Sequence, residues 1–289
     1  MSTADPRAAR APEPAAQRSA AAEEPPEHLP IVLVHGLRIS ASMWRPQLEE
    51  LTRQGRRAIA CDLPGHGTRR GEPFTLGSAV QAVVDTVESL GPRALVVGLS
   101  MGGFVSIATA AAIPHRVAGL VAAGCTARPD QTLSQVYRIP TALLDRLPDR
   151  GQSVNERFHR LMLRGEGAQA VLDGGLAMEA ARDAIDEITD MDVLGALGSY
   201  PGPVWLVNGS RDHFRIHEKR FLDACADGRL INVPRAGHMV NLDQPENFTK
   251  IITDAADVAL LRLRHARARP VPPGRLSHGT PPPPEADER

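Results

Sequence analysis

The stretch Val96-Val97-Gly98-Leu99-Ser100-Met101-Gly102-Gly103 decides how this chain is read. A short β-branched apolar run enters Gly-x-Ser-x-Gly, the pattern of a sharp strand-to-helix turn with serine at its apex. Where strand and helix almost touch, the positions two residues either side of the apex must lack side chains. Such a turn lifts the Ser100 hydroxyl clear of a sheet. It also aims the first amides of the next helix at whatever the hydroxyl meets. Alone the pattern is weak, because small residues cluster by chance. Three further segments strengthen it, and their order matters.

Upstream, Ile31-Val32-Leu33-Val34-His35-Gly36-Leu37 is an apolar run ending in His-Gly, the mark of a buried strand opening into a loop. Gly36 lets the backbone approach a substrate closely. The amides of Leu37 and Met101 are then the two candidate donors of an oxyanion hole, a pair aimed at developing negative charge. Downstream, Pro203-Val204-Trp205-Leu206-Val207-Asn208-Gly209-Ser210-Arg211-Asp212 is a second buried run, closing on an aspartate. Leu230-Ile231-Asn232-Val233-Pro234-Arg235-Ala236-Gly237-His238 is a third, closing on a histidine. The chain order is Ser…Asp…His. Serine is a poor nucleophile at neutral pH. It needs a histidine to take its proton and a carboxylate to fix the histidine tautomer. Ser100, Asp212 and His238 are therefore the candidate catalytic residues.

These segments, with Asp62-Leu63-Pro64-Gly65-His66-Gly67, give the chain a resemblance to the α/β-hydrolase fold superfamily. It is most similar to the cap-bearing serine esterase, lactonase and C–C hydrolase branch, over residues 30–263. The resemblance implies Ser100 as nucleophile, His238 as base and Asp212 as the acid of the triad. It implies hydrolysis of an ester, lactone, thioester or activated C–C bond through an acyl-enzyme. Serine at position 100 separates the chain from epoxide hydrolases and haloalkane dehalogenases of this fold, which use aspartate. The motifs specify the fold far better than the substrate. Two alternatives use the same pocket: a non-hydrolytic lyase, cyclase or perhydrolase step in a biosynthetic pathway, and a ligand-binding receptor that keeps its triad.

Other polar candidates have plainer readings. His35 and His66 are loop-shaping residues. His115, His159, His213, His217, His265 and His278 read as solvated. Asp62 ties down the loop after a strand, and Asp243 reads as an N-cap for a helix starting at Pro245. Cys61, Cys125 and Cys225 give neither a disulfide framework nor a zinc pattern. Cys125 reads as a small buried hydrophobe. With Lys+Arg 33 against Asp+Glu 34 and no basic run, nucleic acid is not an expected partner. No apolar stretch reaches transmembrane length, so no membrane partner is expected. No metal-ligand cluster or nucleotide-binding glycine motif appears, so neither metal nor organic cofactor is expected. The three unpaired-looking cysteines and the lack of a signal peptide point to the cytoplasm. The expected partner is a small acyl or lactone substrate; oligomeric state is not legible.

Strands are read at 31–34, 57–61, 94–98, 117–122, 203–208 and 229–233. Helices are read at 41–54, 75–90, 101–112, 214–226 and 245–263. Their alternation predicts an α/β fold, a doubly wound and mostly parallel sheet with any antiparallel edge shortened. Residues 127–199 carry no strand signal. They show helical patterns at 131–146, 153–164, 167–180 and 189–197, the mark of a helical cap inserted after a central strand. The expected organisation is an α/β core of 29–126 and 200–265, a cap of 127–199, and disordered tails of 1–28 and 266–289. The substrate-binding candidates are Gly36, Trp44 and Met239, beside Leu37 and Met101, since each neighbours a catalytic loop. A sparsely charged, Leu- and Met-rich cap favours a lipophilic substrate.

Overall fold

The computed structural model describes residues 27–144, 146–162 and 165–268. Most of both expected tails lies outside the described residues. Six strands form one sheet: β1 (Ile31–Val34), β2 (Ala58–Cys61), β3 (Ala94–Leu99), β4 (Val117–Ala123), β5 (Pro203–Gly209) and β6 (Asp227–Val233). Their order is β2-β1-β3-β4-β5-β6, and every pairing is parallel. Among the described residues the antiparallel edge is absent.

Strand periodicity divides the core in two. Val32, Val34, Val96, Leu120 and Leu206 face one layer of helices. Ile31, Leu33, Val97, Val121 and Val207 face the other. All ten are fully buried. A sheet covered on both faces needs apolar residues at successive positions, which is why these strands read as continuous hydrophobic runs. The first layer holds α2 (Leu76–Leu90), α3 (Met101–Ala112) and α9 (Glu218–Ala224), and the second holds α1 (Arg45–Arg53) and α11 (Pro245–Ala268). Helix α2 starts at a capping box: Thr75 Oγ1 accepts from the Ser78 amide, and Ser78 Oγ accepts from the Thr75 amide.

Between β4 and β5 come α4 (Gln131–Leu144), α5 (Gln152–Met162), α6 (Gly165–Asp173), α7 (Ala181–Thr189) and α8 (Val193–Ser199). Two readings are corrected here. The helix read at 167–180 stops at Asp173, because Gly174-Gly175 follows and Gly175 takes φ +67°. The helix read at 189–197 is α8, which starts only at Val193, where Asp192 caps it by accepting from the Gly195 amide, and α7 occupies residues 181–189, almost all of it between two of the patterns read. Two others follow at the C-terminal side. The helix read at 214–226 is only Glu218–Ala224, because the loop after Asp212 is held in turns. Helix α11 runs to Ala268, past the expected tail boundary at 266. Helix α8 packs on α3 and α9, with Leu197 fully buried in the first layer. Among the described residues no helix is long and apolar enough to cross a membrane.

The strand order reverses direction between β1 and β3. In open parallel sheets, ligands bind beyond the strand C-termini at such a switch point. The loops there are His35–Arg38 after β1 and the Ser100 turn after β3.

Candidate active site

Ser100 joins β3 to α3 with φ 55° and ψ −119°, a conformation that costs a non-glycine residue about 1–3 kcal/mol. The surroundings impose it. The Ser100 amide donates to the Ala123 carbonyl of β4 at 2.8 Å. A Cβ on Gly98 would lie 2.1 Å from the Gly102 carbonyl oxygen, and one on Gly102 would lie 2.3 Å from that of Val34. No side chain fits at either position, so strand, turn and helix meet backbone to backbone. Met101 is the first residue of α3, and its amide has no acceptor within the helix. A Cβ on Gly36 would meet Ser100 Cβ and the Leu99 carbonyl at ordinary contact distances of 3.6 and 3.5 Å. Glycine is thus not sterically required at 36, but a methyl group would sit against the serine.

Asp212 and His238 lie on the loops after β5 and β6. His238 Nδ1 is 3.1 Å from Asp212 Oδ1 and 3.2 Å from Oδ2. Asp212 is 3% exposed, and Oδ1 also accepts from the Phe214 amide at 2.9 Å. Burial alone would raise its pKa, but the His238 hydrogen bond and charge, with the Phe214 amide, hold it below the ordinary value. The two loops are stitched together. Arg211 N donates to Ala236 O, and Arg235 N donates to Ser210 Oγ. Asp243 is not an N-cap. It ends the short helix α10 (Val240–Asp243), and its carboxylate accepts from the Gly237 amide at 2.7 Å, fixing the residue before His238.

Ser100 and His238 line one cavity of about 800 Å³. Among the described residues no hydrogen bond joins Ser100 Oγ to the imidazole. Gly36, Leu37, Met101 and Met239 line the same cavity, and so do Ile185 and Ile188 of α7. Trp44 does not. It is fully buried in the second layer and stacks on Phe248 of α11 at 6.0 Å between ring centroids, so its reading as a pocket residue is corrected to core. An indole this large, next to the amphipathic start of α1, gains more from dry packing than from a cavity wall.

Several residues in the site were missed or misread from sequence. His213 is exposed, as read, but it also lines the cavity, with its ring centroid 5.3 Å from that of His238 and Nδ1 3.8 Å from Asp212 Oδ1. Its pKa is lowered by burial and then by the His238 imidazole, against the pull of Asp212. Phe214 lies 4.7 Å from His238 between ring centroids. Their position directly after Asp212 was the available signal. His217 is not simply solvated either: its Nδ1 accepts from the Arg128 amide at 3.0 Å. Arg38, Arg211 and Arg235 line the cavity, and Arg38 also donates to Thr141 of α4.

His35 and His66 shape the first loop, as read. His35 Nδ1 donates to Gly36 O and Nε2 accepts from the Leu63 amide. His66 Nδ1 donates to Pro64 O and Nε2 accepts from the Arg38 amide. Each ring therefore works as a neutral donor–acceptor bridge. Burial pushes the His35 pKa down to about 3, with the nearby His66 adding to the effect, and burial also lowers that of His66. Asp62 ties its loop by accepting from the Ala41 and Thr68 amides. Cys125 is fully buried in the first core layer, and burial pushes its thiol pKa up, away from nucleophilic use. Among the described residues no three His, Cys, Asp or Glu side chains are grouped to hold a metal.

A parallel sheet with its switch point under a strained serine turn, and with a buried aspartate holding a histidine on the two last strand loops, defines the α/β hydrolases. Residues 31–251 match the alpha/beta hydrolase family, and the chain belongs to it. It is 26% identical over 256 residues to the pimeloyl-[acyl-carrier protein] methyl ester esterase of Edwardsiella ictaluri, spanning 78% of this chain and 93% of that one. A thermophilic esterase from Thermogutta terrifontis, solved with malate bound, superposes with TM-score 0.66 at 25% identity, over 80% of this chain and 90% of that one. A structure from a study of Nitrososphaera gargenis carboxylesterases gives TM-score 0.68 at 18% identity, over 82% and 92%, a likeness of fold alone.

Proposed function

We propose that this α/β hydrolase is a serine hydrolase of a small, lipophilic ester, lactone or thioester. Ser100 is the nucleophile, His238 the general base and acid, and Asp212 the residue that orients and stabilises the imidazole. The reading is carried by the pairing of buried Asp212 with His238, whose ring shares a cavity with a serine held at φ 55°.

In this mechanism His238 takes the Ser100 proton as Oγ attacks the acyl carbon. The amides of Leu37 and Met101 receive the oxyanion, and each such donor is worth about 10²–10³ in rate. His238 returns the proton to the departing alcohol or thiol. Water, deprotonated by His238, then attacks the acyl-enzyme and releases the carboxylic acid. The balance is one water consumed, one acid and one alcohol or thiol released. Asp212 fixes Nδ1 of His238 as the donor, leaving Nε2 for the serine. The Ser100–His238 hydrogen bond then forms as substrate fills the cavity, as such contacts often tighten only in the complex. The helices inserted between β4 and β5 act as a lid, a role supported by Ile185 and Ile188, which add apolar wall to the cavity that Ser100 lines.

Steady-state hydrolysis of p-nitrophenyl acyl esters tests the proposal. Ser100→Ala and His238→Ala are each expected to lower kcat by about 10⁴–10⁶. Near-full activity in His238→Ala would remove the basis of the mechanism.

A further inference from the structure

The cavity is chemically two-ended. Its buried wall is apolar, formed by Leu99, Met101 and Phe104 of the core and by Ala184 and Ile188 of α7. Its exposed rim carries Arg211 and Arg235. These two belong to the loops that carry Asp212 and His238, and the loops are tied by the Arg235–Ser210 and Arg211–Ala236 hydrogen bonds. Neither guanidinium has an ion pair among the described residues. Arginines elsewhere do: Arg215 is held by Glu218, and Arg229 and Arg262 by Asp227. Asp243 is the carboxylate that lines the cavity, and it is engaged by the Gly237 amide. Arg38, from the loop after β1, adds a further guanidinium to the lining. Arg235 and Arg38 sit at φ 64° and 67°, so their backbones are held in one uncommon conformation.

We propose that the cavity selects amphiphilic acyl substrates: hydrocarbon against the Met101–Phe104–Ile188 wall, and an anionic oxyacid group, carboxylate or phosphate, on Arg211 and Arg235. Guanidinium groups match planar carboxylate and phosphate oxygens through paired N–H donors. A cavity with an apolar body and a few placed polar groups fixes ligand orientation through those groups. Here the anion at the rim would set how far the acyl carbon enters, and so whether it reaches Ser100. This inference rests on the serine hydrolase reading and specifies its substrate class.

The test compares matched aryl hexanoates whose leaving phenol carries a para carboxylate or the isosteric carboxamide, with a para phosphate ester as a third substrate. Wild-type kcat/KM is expected to favour an anionic substrate over the carboxamide by tenfold or more. The larger of the carboxylate and phosphate preferences identifies the oxyacid. In the Arg211→Gln/Arg235→Gln double variant the anion-to-neutral ratio is expected to fall to about one, and Arg235→Lys is expected to keep part of it. Because a ratio is read, loss of folded enzyme cannot imitate the result. Equal wild-type kcat/KM for all three substrates would overturn the inference, and so would a ratio unmoved in the double variant. Failure to cleave any of the three would instead overturn the hydrolase reading.

Discussion

Gly98 and Gly102 give the serine turn its shape, and their lack of side chains has a measurable cost if reversed. Gly98→Ala places a methyl 2.1 Å from a carbonyl oxygen of the adjoining helix, so β3 and α3 must separate. Overpacking of this kind costs about 3 kcal/mol. A urea melt of Gly98→Ala should show that loss together with loss of the proposed hydrolase activity; a variant as stable and active as the parent would contradict the geometry. The buried histidines make a second residue-scale prediction. Folded His35 and His66 hold protons less tightly than unfolded histidine does. The unfolded chain therefore binds more protons in acid, and stability rises with pH. The contribution is complete above about pH 6.5 and is lost as pH falls, for His35 down towards 3, at up to about 1.4 kcal/mol per pH unit per group. Asp212 and Asp62, whose folded pKa values are lowered, act in the same direction below about pH 4. His35→Gln, which keeps polar atoms but does not titrate, should flatten the plot of unfolding free energy against pH between 6 and 4. An unchanged slope would mean His35 is not buried as a neutral ring.

At the scale of elements, strands and core helices were legible because burial on both faces forces long apolar runs. The boundaries of β1, α3 and the start of α11 follow directly from residues 31–34, 101–112 and Pro245. Four of the inserted helices were legible as helical but with shifted bounds, and α7 fell between two of the patterns read. Their apolar residues serve two surfaces, the core and the cavity, so one hydrophobic stripe does not mark one face. Leu197 shows the consequence. Read within the inserted segment, it packs in the first core layer between α3 and α9. Leu197→Ala should cost about 3 kcal/mol, a core value, in a denaturant melt. A cost below about 1 kcal/mol would place it at a surface instead. Thr75→Ala removes the cap of α2 and should cost about 1 kcal/mol while kcat stays at the parent value, since α2 contributes no residue to the cavity. Trp44 was misread for the reason that sequence proximity to a loop says nothing about which side of the sheet a ring faces.

At the scale of the molecule, the sheet order brings residues 37, 100, 212 and 238 to one end of the structure. Chain order made Ser100, Asp212 and His238 legible as candidates, and the structure pairs Asp212 with His238 beside the cavity that Ser100 lines. Chain order did not show that Arg211, His213 and Arg235 line one cavity, which depends on how two distant loops lean together. The loops meet because β5 and β6 are adjacent and parallel, so both end on the same edge. The account then stands on one chemical claim, that Ser100 is a nucleophile activated by His238. Covalent labelling with a fluorophosphonate, followed by mass mapping of the modified peptide, tests it most directly. The predicted result is a single adduct on Ser100, absent in Ser100→Ala and formed far more slowly in His238→Ala. An adduct on another residue, or a rate unchanged in His238→Ala, would contradict it.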